Sequence, residues 1–188
     1  MNLHEQLTSA AEQASRVVDG TKPDQFGLPT PDGEWDVKTL LNHLVLWTSY
    51  SFERRATSQE VGPDLTERDF AAEPDYAEAY RAQLDRALAA WAAPGIWDTE
   101  IDTGQGTTPA RQIGEMILME MVLHGWDLAR ATGQDFAVPD AVAETVAKAV
   151  GETAELYRQY DGFAAEVGLG PDASALDRAL AVSGRDPR

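Results

Sequence analysis

A chain of 188 residues, 43 % of them hydrophobic and none of them cysteine, can bury one core of its own but has no disulfide framework, thiolate metal ligand or cysteine nucleophile. Its net charge of −17 repels nucleic-acid phosphates and anionic lipid, which excludes DNA, RNA and membrane surfaces from the expected partners. No apolar run approaches the roughly 18–20 residues of a membrane span, and the polar opening MNLHEQLTSAAEQ lacks a signal pattern, so a cytoplasmic protein is expected.

The hydrophobic periodicity is helical almost throughout. Leu3, Leu7, Ala10, Ala14 and Val17 recur at three- and four-residue spacing, which predicts a first helix over residues 2–19, with Asn2 as cap and Glu5 completing a capping box. A Pro/Gly-rich loop follows over 20–34. Asp36 caps a second helix that fades near Arg55, Trp35 is placed to staple onto Leu40, and Leu40, Leu44 and Trp47 form its stripe. Residues 57–72 are acidic and aperiodic and read as a loop with at most a short turn. Pro74 opens a third helix with the stripe Tyr76, Tyr80, Leu84, Leu88 and Trp91, closed by Pro94-Gly95. Residues 96–107 read as a small hairpin or an irregular excursion. Thr108 and Pro109 are expected to cap and begin a fourth helix running to about Ala131, with Gly133 as its stop. A fifth helix starts near Pro139 and carries Val142, Val146, Val150 and Tyr157, and a short helix spans 174–182. Antiparallel helices joined by loops imply an all-α bundle of at least four helices.

The chemistry is concentrated on the fourth helix. At about 100° per residue, His124 lies about 40° from Glu120, with Asp127 about 20° to the other side, all on the face carrying Ile113, Met116 and Ile117. Two acids and an imidazole on an inward stripe require compensation, because burying an unpaired charge is costly. On the second helix, His43 sits beside the stripe of Leu40, Leu44 and Trp47. If these two helices pack together, His43, Glu120 and His124 form a two-imidazole, one-carboxylate set suited to Zn²⁺ with a fourth position open. Ni²⁺, Fe²⁺ and Mn²⁺ are also compatible. Read singly, His43 is also a hydrogen-bonded core histidine and Glu120–His124 a surface i,i+4 pair; their coincidence on inward stripes favours the metal. Asp127 is expected to orient a ligand histidine from outside the coordination sphere, with direct ligation or a pair with Arg130 as alternatives. His4 reads as exposed, and Trp47 and Trp126 as packing residues.

Two segments carry a family likeness. Trp35 to Leu44, WDVKTLLNHL, resembles the start of the second helix in DinB/YfiT-like proteins. Glu120 to Ala129, EMVLHGWDLA, resembles the second metal motif of their mycothiol-dependent branch, which includes the N-terminal domain of mycothiol-dependent maleylpyruvate isomerase. The ending from Ala175-Leu176-Asp177-Arg178 to Gly184-Arg185-Asp186-Pro187 is similar to a group of actinobacterial metal-binding proteins.

The resemblance implies a DinB-like four-helix bundle over residues 1–160, with an extra C-terminal helix in a short extension, 161–188, packed on it. It implies a divalent metal, usually zinc, held by His43, Glu120 and His124. It also implies a low-molecular-weight thiol, mycothiol, as cosubstrate, because a cation favours the nucleophilic thiolate. The expected activity is a thiol-cofactor-dependent transferase or isomerase acting on a small electrophile. The alternative is a non-catalytic metal-binding or stress-response sensor protein on the same bundle. Maleylpyruvate isomerisation itself is not expected, since that enzyme carries a further domain where this sequence holds a short tail. Homodimerisation is left open.

Overall fold

The computed structural model describes residues 1–33, 35–104 and 106–188. Glu34, in the expected loop, and Gln105, at the expected hairpin tip, lie outside the described residues. Helix α1 spans Leu3–Gly20 and begins on a capping box: the Asn2 side chain accepts from the Glu5 amide, and the Glu5 carboxylate accepts from the Asn2 amide. Its inward stripe, from Leu3 to Val18, is buried.

The second long helix is built in three pieces. Helix α2 (Val37–Val45) starts where the Asp36 side chain accepts from the Thr39 amide. It runs through a π-helical turn, Leu46–Tyr50, into α3 (Ser51–Ala56). Within the turn the Ser51 amide bonds to the carbonyl of Leu46, five residues back. The hydroxyls of Thr48 and Ser49 donate to the carbonyls of Leu44 and Val45, a pairing known to bend helices. Short helix α4 (Pro63–Thr66) interrupts the acidic loop.

Helix α5 spans Tyr76–Ala90, two residues inside the expected start. Trp91 at its end is fully buried, stacks on Phe52 at 4.8 Å, and donates its indole N–H to the Phe52 carbonyl at 2.7 Å. The expected hairpin forms: β1 (Glu100–Asp102) pairs antiparallel with β2 (Thr107–Pro109), Ile101 opposite Thr108. This moves the start of the next helix. Thr108, expected to cap it, is paired in the strand instead, and α6 begins at Ala110 and runs to Thr132. Gly133 ends α6 with φ of 71°, the left-handed conformation a helix stop favours.

Helices α1, α2–α3, α5 and α6 form the bundle: α1 packs on α5 and α6, α2 on α6, and α3 on α5. Helix α7 (Asp140–Gln159) lies against α6 and α1, burying Val142, Val146 and Val150. Helix α8 (Ala175–Val182), capped by Ser174, packs on α7. No helix among the described residues is long and apolar enough to cross a membrane.

Candidate metal centre

The packing of α2 on α6 brings the three predicted ligands together. His43 comes from the last turn of α2, and Glu120 and His124 from successive turns of α6. The Nε2 atoms of His43 and His124 lie 3.0 Å and 3.2 Å from one oxygen, Oε2 of Glu120. The three ligand atoms all fall within 4.8 Å of one another. Atoms each about 2.1 Å from a tetrahedral cation stand roughly 3.4 Å apart, so a small opening of this cluster admits a divalent ion. The donor types, two imidazoles and a carboxylate, are those zinc takes in open sites.

The outward nitrogen of His124 is held separately. Its Nδ1 lies 3.2 Å from Asp127 Oδ2 and 3.6 Å from Asp32 Oδ2. Asp127 is wholly buried and does not pair with Arg130, the alternative weighed from sequence; Arg130 instead donates to the carbonyl of Arg188. The partner of Asp127 is Arg185, from the tail beyond α8. Arg185 Nε donates to Oδ1 at 2.8 Å, and its Nη2 donates to Oδ2 at 2.7 Å and to Asp32 Oδ1 at 3.1 Å. Its Nη1 donates to the Ser183 hydroxyl at 3.1 Å. Asp32, His124 and Asp127 also meet as a potential cation cluster, but the guanidinium already supplies the positive charge there.

The electrostatics follow from this layering. With its protein neighbours alone, burial disfavours the charged form of His124. The charge of Glu120, with hydrogen bonds to Asp127 and Glu120, outweighs burial and pushes the pKa up to about 10. Burial works against the ionised carboxyls of Glu120 and Asp127 too, yet their cationic neighbours hold both well below the usual range. The Glu120 and Asp127 carboxylates are thus kept ionised beside the imidazoles and the guanidinium.

Several residues of this centre carried no assigned role in the sequence. Trp35, expected to staple onto Leu40, lays its indole against both ligand imidazoles, 4.6 Å from the His43 ring and 5.8 Å from that of His124. Asp32 and Arg185 went unassigned because a loop Asp-Gly and a tail arginine have no helical phase to aim them. Tyr157 and Phe163, stacked at 4.8 Å, join Trp35 in lining a cavity of about 610 Å³ that reaches His43, Glu120 and His124. Trp47 and Trp126 pack against the core as expected. His4 is half-buried rather than exposed, and its Nδ1 is enclosed without a protein partner.

Comparison with known proteins identifies the family and the fold. The family described as the mycothiol maleylpyruvate isomerase N-terminal domain matches residues 7–129. Two uncharacterized proteins of Mycobacterium tuberculosis, from strains CDC 1551 and H37Rv, are each 29 % identical over 142 residues, 74 % of this chain and 73 % of theirs. The crystal structure of the mycothiol-dependent maleylpyruvate isomerase superposes with a TM-score of 0.58 at 23 % identity, covering 80 % of this chain and 70 % of that one. That of its histidine-to-alanine mutant gives 0.55 at 22 %, with the same coverage. At these identities the superpositions speak for a shared fold. With the family match spanning most of the bundle, including His43, Glu120 and His124, the chain belongs to the mycothiol maleylpyruvate isomerase N-terminal domain family.

Proposed function

We propose that the protein binds a divalent cation, zinc first, through His43, Glu120 and His124, and serves a mycothiol-dependent isomerisation or transfer on a small electrophile. The observation that carries this reading is the convergence of three ligand atoms within 4.8 Å at the floor of a cavity large enough for a small molecule. When bound, the cation supplies stabilisation of the cosubstrate thiolate, the nucleophilic form of sulfur, so the protein needs no cysteine of its own.

The chain's residues do the positioning. Asp127, gripped by Arg185, accepts from Nδ1–H of His124 and so turns Nε2 of that ring toward Glu120. Trp35 packs against both imidazoles and limits their freedom. The same arrangement weighs against a purely storage or sensing role. A closed site needs a fourth protein ligand, and Asp127, the candidate, has both oxygens committed to Arg185.

The test is to load the protein with zinc and follow mycothiol consumption against a panel of electrophiles. Zinc-dependent turnover that disappears in His43→Ala and His124→Ala is expected. Stoichiometric zinc binding without turnover across a broad panel would return the non-catalytic reading, and unchanged metal content in both variants would refute the site.

A further inference from the structure

The cavity above the candidate centre has a composition that selects among electrophiles. Beside Met119 and Leu123 its apolar walls are aromatic: Trp35, in the segment leading into α2, and the stacked Tyr157–Phe163 pair where α7 gives way to the C-terminal segment. The second wall is set by a local turn. The Gly162 amide bonds back to the Tyr157 carbonyl at 2.8 Å, and Asp161 takes φ of 58°, a left-handed conformation that Asp and Asn tolerate best among residues with side chains. This turn folds Phe163 back under Tyr157, with the rings 20° from parallel.

The charges point the same way. Among the described residues that line the cavity, Arg185 is the one lysine or arginine, and all three of its guanidinium nitrogens are taken by Asp127, Asp32 and Ser183. Arg55 is not among the lining residues, but it stands close enough to Glu120 and Tyr157, which are, for its charge to act on both. Against this, Asp32 and Asp161 both face the cavity. A divalent cation, Glu120 and a cosubstrate thiolate together carry no net charge. What remains is Asp32, Asp127 and Asp161 against Arg185 and the nearby Arg55, still an excess of negative charge at a site inside a strongly acidic protein. Among the described lining residues an anionic substrate would meet no uncommitted lysine or arginine, and several carboxylates.

We infer that the second substrate of this site is an uncharged electrophile with a flat, apolar or aromatic body, held between Trp35 and the Tyr157–Phe163 pair, and that carboxylate-bearing electrophiles are disfavoured. This rests on the metal-and-thiol reading for the reaction but is tested by binding. Methyl benzoate and benzoate, equal in ring and different in charge, serve as unreactive probes. Their affinities are measured by ligand-detected NMR on the full chain loaded with zinc, with mycothiol present to occupy the cation's open position.

The ester is expected to bind at least tenfold more tightly than benzoate. Phe163→Leu and Trp35→Phe should each weaken ester binding severalfold. Asp161→Asn, which keeps the turn, should narrow the gap by strengthening benzoate. Equal or tighter binding of benzoate overturns the inference. So does ester binding that neither aromatic substitution changes, or no ester binding at millimolar concentration. If zinc or mycothiol fails to bind, the functional proposal fails on its own account, and the same comparison on the zinc-free chain still decides this one. Absence of turnover with uncharged electrophiles, alongside the expected ester preference, likewise strikes the proposed reaction and leaves the binding preference standing.

Discussion

The Arg185 guanidinium and the Asp127 carboxylate form a bidentate pair, buried on both sides, between residues 58 positions apart in sequence. Asp127 in turn holds His124, so a tail residue reaches a proposed metal ligand through one intermediary. Removing Arg185 breaks a buried ion pair and leaves the Asp127 carboxylate with the His124 imidazole alone, a change that typically costs about 3–5 kcal/mol. Arg185→Met is expected to lower stability by that order in chemical denaturation. Arg185→Lys should recover only part, because a lysine cannot reproduce the two-pronged contact.

Asp127→Asn tests the coupling to the metal. The amide keeps the shape but loses the charge that favours the ligating tautomer of His124. Outer partners of this type are worth about 10–100-fold in metal affinity. Zinc titration against a competing chelator should show a loss in that range. His43→Ala, Glu120→Ala and His124→Ala should each lose more.

The pH dependence follows from the sign of the His124 shift. Its pKa is pushed from the ordinary 6.5 up to about 10 in the folded chain without metal. A raised pKa contributes stability that is complete below about pH 6.5 and is lost as pH rises through about 10. The metal-stripped protein should therefore lose stability across that window relative to His124→Gln, measured as denaturation midpoints in a pH series. In the same window zinc should displace a proton from His124, so calorimetry in buffers of different ionisation heat should register proton release on binding. Parallel midpoint curves for the two proteins, or no buffer dependence, would contradict this assignment.

Away from the site, Trp91 is the core's largest wholly buried side chain, and its indole N–H is satisfied by Phe52. Trp91→Ala should cost about 3–5 kcal/mol by opening a cavity beneath the stack. Zinc binding should persist, since α2 and α6 do not depend on that contact.

The bundle was legible in the sequence wherever one face of a helix meets the core. The stripes of α1, α5, α6 and α7 follow from spacing alone, and the inward phase of Glu120 and His124 supplied two of the three candidate ligands. The boundary at Thr108 was misread because a threonine before a proline suits a helix cap and an edge strand equally, and only pairing with Ile101 decides between them. Arg185, Asp32 and Phe163 were out of reach for a different reason. They lie in connecting segments, where position is fixed by long-range ion pairs and turns and leaves no periodic trace. Gly184 shows how tight that fixing is. Its φ is 90°, and a Cβ there would stand 2.6 Å from the Ala164 side chain, so the tail delivering Arg185 passes against the segment carrying Phe163.

The π-helical turn at Leu46–Tyr50 gives the long helix two separate aims. In an unbroken α-helix His43 and Phe52, nine residues apart, would point to opposite sides, since nine steps of about 100° make two and a half revolutions. The additional residue in the turn takes up about one step, so His43 addresses Glu120 while Phe52 addresses Trp91. The upstream half is thus clocked by the His43–Glu120 contact and the downstream half by the core. By the same count, shortening the chain by one residue within the turn would leave eight steps of an ordinary α-helix and preserve both aims, whereas adding one would swing one of them out of alignment.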